Sequence, residues 1–344
     1  IIVKAIVDYV KAQGANPFVF PAMGSHGGGT EEGQREVLAG YGITEERLGV
    51  PVVTTVDTVY LGNCANGRPV WFDRAAYEAD LIVPINRVKL HTDFVGPIQS
   101  GLCKMLVIGL GNHKGCSAVH EEAPEVFADA IEETARLILQ KAPVGFGIAI
   151  LENAYDKTYA VEAVPAEHLV EREKELVQIA KGNMPYIMLD EADVIVCGAI
   201  GKDISGAGFD PNILGRSSVL KQFVLHIPRY QRLVLCDVTP ASHGNGIGVG
   251  LFDVITKKVA EQLDLESMYA NAIACNCLGD ASVPCTVDDE ETAIRVALKC
   301  CRNIDRDHPR IIRIQNTLHL GKIEVSEALL DAVRADSRMS LIEN

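Results

Sequence analysis

The sequence predicts an α/β fold of two domains with mainly parallel sheets and an active-site cleft between them. Three observations lead there. Short β-rich runs alternate with amphipathic stretches at helical spacing. Glycine-rich loops repeatedly follow the apolar runs, where α/β folds place ligand contacts. A highly charged helical stretch, 166–182, ends at Gly182 just before Pro185 and divides the chain. It reads as a linker helix, giving an N-terminal domain over 1–185 and a C-terminal α/β domain over 186–344.

Taken in order, residues 2–11 predict a helix, with apolar side chains at 2, 3, 6, 7 and 10. Residues 17–21 predict a buried strand running into a glycine-rich loop, and 30–41 the helix after it, with Thr30 and Glu32 at its start and Gly42 at its end. Residues 50–55 and 81–85 read as buried strands, 122–140 as a helix, and 144–151 and 159–164 as strands. Beyond the linker, 192–197, 233–238 and 311–315 read as strands and 247–260 as a helix.

The 344 residues are 48% hydrophobic and 23% charged, as expected of a folded chain with a sizeable core. The net charge of −14 argues against nucleic-acid binding, which needs clustered Lys and Arg. A local basic pocket can still take a small anionic substrate. No apolar run is long enough for a membrane span. No signal-peptide pattern opens the sequence, so a cytoplasmic location is expected, and the ten cysteines, with no CxxC pair, are expected to be reduced thiols. The chain opens Ile1-Ile2-Val3, and the true N-terminus is expected upstream.

Four loops carry candidate chemistry. Met23-Gly24-Ser25-His26-Gly27-Gly28-Gly29 links a strand to a helix and presents one imidazole. It is neither the dinucleotide fingerprint nor a P-loop. The densest stretch holds Lys89, His91, Ser100-Gly101-Leu102-Cys103-Lys104, Asn112-His113-Lys114 and His120. Imidazoles there suit metal ligation or proton transfer, and a loop lysine suits anion binding or a covalent link. Lys202, Asp203 and Arg216 follow the strand ending at Cys197, and His243 follows the next strand.

The order of these motifs resembles the nickel-pincer lactate racemase family over residues 17–125, with a weaker echo at 192–196. The resembling residues are Gly24-Ser25-His26 with Glu31-Glu32, then His91, Phe94, Gly96, Ser100-Gly101 with Lys104, Asn112-His113 and His120. The resemblance implies a racemase or epimerase of a small 2-hydroxy acid. It would work by proton-coupled hydride transfer to a nickel-pincer nucleotide, a pyridinium-3,5-bisthiocarboxylic acid mononucleotide, and would need cofactor-synthesis proteins as partners. It implies Lys104 as the thioamide anchor and His26 and His91 as opposed acid/base residues. It implies Gly24, Ser25, Gly101, Lys202 and Asp203 as further cofactor or substrate contacts. The family's nickel-ligating histidine stands sixteen positions after the lysine, which selects His120; the Asn-His pair keeps His113 as the second choice. The family's Gly-Gly-Arg-Lys is Gly101-Leu102-Cys103-Lys104 here, and the thirteen positions from His91 to Lys104 are three more than the family has. These changes bear on which hydroxy acid is used. The same histidines would also serve a metal-dependent hydrolase or lyase, and the same loops an anion-binding protein.

Overall fold

A computed structural model describes residues 1–24 and 26–342. The chain divides into two compact units, one of Ile1–Glu152 with Thr158–Gly182, the other of Asn153–Lys157 with Asn183 onward.

The second unit is the more regular. Strands β6 (Val194–Cys197), β7 (Arg232–Leu235), β8 (Val254–Thr256), β9 (Cys285–Val287), β10 (Ile311–Ile314) and β11 (Ile323–Val325) form one sheet in the order β11-β10-β6-β7-β8-β9. Only the β10–β11 pair is antiparallel. β6 is buried at all four positions, as a parallel strand covered on both faces must be. Ile195, Cys197, Leu233 and Leu235 enter one core. Val194, Val196 and Val234 enter the other, against Ala293 and Ala297 of helix Glu290–Lys299.

The first unit holds a two-stranded antiparallel pair, β1 (Thr58–Asn63) with β2 (Pro69–Asp73). It also holds a three-stranded sheet in which β3 (Ile85–Arg87) runs parallel to β4 (Phe146–Glu152), and β4 antiparallel to β5 (Thr158–Pro165). Helices Phe127–Lys141 and Leu169–Asn183 belong with it.

Several expectations shift. The runs 17–21, 50–55 and 81–85 reduce to single bridges, Val19 to Val52 and Ile82 to Val144. Pro17, Pro21, Pro51 and Pro84 remove the donors a ladder needs. The helix expected from 122 begins at Phe127, beyond Pro124. The span 247–260 is not one helix: a short turn, β8 and helix Lys257–Gln262 share it, because Gly248 and Gly250 break the turn and Val254-Ile255-Thr256 favour a strand. The charged segment is no free linker, since Leu169, Glu173 and Leu176 are fully buried. Among the described residues the cysteines form no disulfide. No helix among the described residues is long and apolar enough to cross a membrane.

Candidate active site

After β3 the chain loops out and returns to itself. The N–H of Lys89 donates to Ser100 O at 2.8 Å, and that of Ser100 to Lys89 O at 3.1 Å. Residues 90–99 thus form a closed loop. Buried Phe94 and Ile98 anchor it, and at Gly96 a Cβ would lie 2.2 Å from that of Ala128. Buried Gln99 accepts the N–H of His91 at 2.8 Å and donates to Gly96 O at 3.3 Å. The His91 ring stacks on Phe94 at 4.3 Å. Its Nδ1 accepts the N–H of Asp93 at 3.0 Å. A neutral imidazole carries one proton, so that proton sits on Nε2.

Lys104 Nζ lies 2.5 Å from that Nε2. With Nε2–H as donor, the lysine must accept, and only a neutral amine has the lone pair to do so. The electrostatics draw the amine toward that neutral form without making it the dominant one near pH 7. Burial first lowers Lys104 to about 8, Asp93 and Cys116 oppose this, and Lys89 adds to it. Burial also holds His91 well below its usual value, with the charges of Lys104, Lys89 and His120 acting the same way.

From Lys104 the chain continues through a π-helical turn, Met105–Gly109, in which Leu110 N–H reaches back to Met105 O at 2.8 Å, and then through helix Asn112–His120. Asn112 adopts φ 50°, and its amide donates to Asp73 at 2.8 Å. Cys116 and His120 share a face of this helix. His120 Nδ1–H donates to Cys116 O at 2.7 Å, which leaves Nε2 its lone pair. Contact with the Cys116 side chain raises the His120 pKa, against burial and the charge of Lys104. Phe127 links the two imidazoles, 5.1 Å from the His120 ring and 4.9 Å from Phe94.

The Gly24 loop rests on the same segment. Gly24 N–H donates to Gly109 O at 3.0 Å, and a Cβ at Gly24 would lie 2.8 Å from Ile108 O and 3.6 Å from Cys116 Cβ. Buried Gln34 donates to Gly24 O at 3.2 Å. His26 is exposed at the head of the Gly27–Gly29 turn, and Ser25 lies outside the described residues. His113 lines an open groove of 670 Å³ with Gly29, Asp57, Thr58, Lys114 and Ser117.

All five of these histidine and lysine positions, 26, 91, 104, 113 and 120, fall inside one family match. Residues 1–129 match the lactate racemase N-terminal domain. The resemblance drawn from the motif order is therefore borne out. No curated protein matches the chain. Among solved structures, the lactate racemase apoprotein from Thermoanaerobacterium thermosaccharolyticum is 14% identical, with a TM-score of 0.46 over 80% of this chain and 78% of that one. A Thermotoga maritima protein is 12% identical, with a TM-score of 0.41 over 67% and 69%.

Within this lactate racemase-like segment the fold gathers His91, Lys104 and His120, and lays the loop of Gly24 and His26 beside them. Lys202 and Asp203 belong to the second unit. There Lys202 Nζ donates to Gly206 O at 2.6 Å, and Lys202 N–H donates to Ser242 Oγ at 2.8 Å. Thr239 Oγ1 donates to Asp203 and lies 2.9 Å from Ser242 Oγ. Gly201 is required beneath this cluster, since a Cβ would stand 1.9 Å from Thr239 Oγ1. Arg216, further along the same stretch, pairs with Asp253 at 2.6 Å. Among the described residues no three His, Cys, Asp or Glu groups form a ready metal site. Sequence reasoning missed Asp93, Gln99, Cys116 and Phe127. Cys116 carried a signal, standing one helical turn before His120. Gln99 and Phe127 carried none, because only the closed loop brings them to His91.

Proposed function

We propose that the chain is a racemase or epimerase of a small 2-hydroxy acid in which Lys104 anchors a nickel-pincer nucleotide. The observation that carries this reading is Lys104 Nζ held against His91 Nε2 within the family-matched segment. A solvated lysine is almost wholly an ammonium near pH 7 and has no lone pair for acylation; burial lowers Lys104 to about 8 and so enlarges its reactive neutral fraction. The donors fit the group. Lys104 offers the nucleophile, and His120 offers one imidazole nitrogen to a borderline-soft metal, with Cys116 Sγ 3.4 Å from its other nitrogen. When bound, the nucleotide supplies a hydride acceptor.

The chain's own residues handle the protons. In the unloaded protein His91 serves the amine. With Lys104 engaged, Nε2 loses that partner, and in the other tautomer, with the proton on Nδ1, its lone pair can take the proton of the substrate hydroxyl. His26, on its exposed loop, is the second imidazole of the pair that reaction at both faces requires. Lys89 lies close enough to depress both His91 and Lys104, a local positive field that favours a carboxylate substrate in an acidic chain.

The test is expression together with pincer-synthesis enzymes, followed by intact mass, peptide mapping and nickel content. The expected result is an adduct on Lys104, stoichiometric nickel, and interconversion of 2-hydroxy acid enantiomers on a chiral column. An unmodified Lys104 without nickel sinks the proposal. Turnover with common divalent metals and no adduct would replace it with the hydrolase or lyase reading.

A further inference from the structure

Glu173 is fully buried on helix Leu169–Asn183. Its carboxylate meets the start of the segment that carries Lys104. Oε2 accepts the N–H of Cys103 at 2.8 Å, and the N–H of Leu102 is directed at the same carboxylate. These are first-turn donors, which a helix cannot satisfy from within. Gly101, at the cap position, has no side chain to do so. A Cβ on Gly101 would stand 2.5 Å from Glu173 Oε1 and 2.9 Å from Oε2, so glycine is what lets the carboxylate close in. The Cys103 thiol lies against the same group, pushed well up by burial first and by Glu173 next. Glu173 Oε1 has no hydrogen-bond partner. Burial raises Glu173 to about 7 against the pull of these N–H groups.

A buried carboxyl with one oxygen unpartnered is a poor device for stability, since apolar replacements of buried charges are often neutral or stabilising. Its placement one residue before Lys104 gives it another use. We propose that Glu173 is a positioning residue for Lys104: by gripping the N–H groups of Leu102 and Cys103 it sets the turn that aims Nζ at His91 Nε2. This rests on the proposed function only in that Lys104 is taken as the reactive amine. The geometry itself concerns the unloaded protein. It also accounts for Cys103 as the short side chain that this carboxylate tolerates.

The test is competitive acetylation of the unloaded protein with an N-hydroxysuccinimide ester, read by peptide mass spectrometry as the rate at Lys104 relative to exposed Lys141. In Glu173→Leu the ratio should fall about ten-fold, as the amine leaves His91 and returns to an ordinary ammonium. Glu173→Gln, which keeps an oxygen for the N–H groups, should stay within about three-fold of wild type. A purely structural role would lower the melting temperature of Glu173→Leu and leave the ratio in folded molecules unchanged, and that result overturns the proposal. Equal loss in the Gln and Leu variants overturns it as well. Should the Leu variant not fold, Gly101→Ala decides: it displaces the carboxylate and must reduce the Lys104 ratio, and an unchanged ratio is fatal. None of these readings depends on nickel, so a failed adduct with an intact Glu173 effect counts against the proposed function alone.

Discussion

In the second unit β6 is buried at every position, and alternate side chains divide between two apolar cores. In the first, the sheet beside the candidate site has three strands, and one buried carboxyl, that of Glu173, meets the backbone just before Lys104. Glu173 Oε1 is buried there without a hydrogen-bond partner. A π turn and a left-handed Asn112 lie between Lys104 and His120. In the second unit, the polar groups of the Lys202–Asp203 loop satisfy one another through Thr239 and Ser242. Backbone irregularity beside one lysine is of the kind that functional sites carry, and it fits the proposed role of Lys104.

The sharpest way to break this contrast is a pair of substitutions. Lys104→Met should reduce adduct formation and turnover by at least about 10³-fold while leaving the melting temperature unchanged or higher, since the group removed is a buried base. Leu235→Ala, at a fully buried position of β7, should lose about 2–5 kcal/mol in denaturant unfolding. It should leave Lys104 acetylation in the folded protein untouched. If Leu235→Ala silenced Lys104 in folded molecules, the division of labour between the units would not hold.

Arg68 tests the first unit's own stability. Its guanidinium, 5% exposed, pairs with Glu122 and with Glu133 at 2.9 Å. Arg68→Met should cost about 1–2 kcal/mol, because both carboxylates lose their partner but remain partly open to water. Mobility should rise at the end of helix Asn112–His120, next to Glu122, and amide exchange there would report it.

The pH dependence of stability carries opposite signs at the two buried groups. Lys104 falls from a usual 10.5 to about 8, so between those values the unfolded chain binds more protons than the folded one. Stability from this group therefore rises with pH across that window, and its cost is fully present below about 8. Glu173 rises from 4.5 to about 7, so its contribution is present below 4.5 and lost as pH climbs through 7. Melting curves should show the alkaline rise vanish in Lys104→Met and the acid-to-neutral fall flatten in Glu173→Gln. An alkaline rise that survives Lys104→Met would return Lys104 to the ordinary lysines.

What the sequence made legible follows the range of the forces involved. Helix Ile2–Ala12 and helix Glu31–Gly40 with its Thr30 cap were readable, because apolar spacing and capping are local. Strands β6, β7 and β10 were readable as short apolar runs, whereas β8 lay inside an expected helix and the short, partly exposed β9 and β11 offered no such run. The β1–β2 pair was missed although Asn66-Gly67 marks its turn, since neither strand alternates cleanly. At the site, residue types pointed to His91, Lys104 and His120. Nothing local could reveal that loop 90–99 closes on itself, or that a carboxylate from position 173 caps the turn at 102, for those contacts span eleven and about seventy positions.

The smallest expected effect sits at Thr30. Its Oγ1 accepts Gly33 N–H at 3.1 Å, capping helix Glu31–Gly40, and donates to Gly27 O at 3.1 Å. The two backbones touch there, since a Cβ on Gly33 would stand 2.0 Å from Gly27 O. Thr30→Ala should cost about 1 kcal/mol, and Thr30→Ser should restore most of it. Amide exchange should quicken across residues 26–34, where His26 is carried, and remain unchanged in β6 and β7. A uniform quickening through both units would mean that the His26 loop opens only with the whole chain. The first unit would then have no independent local flexibility to set against the second unit's rigid sheet.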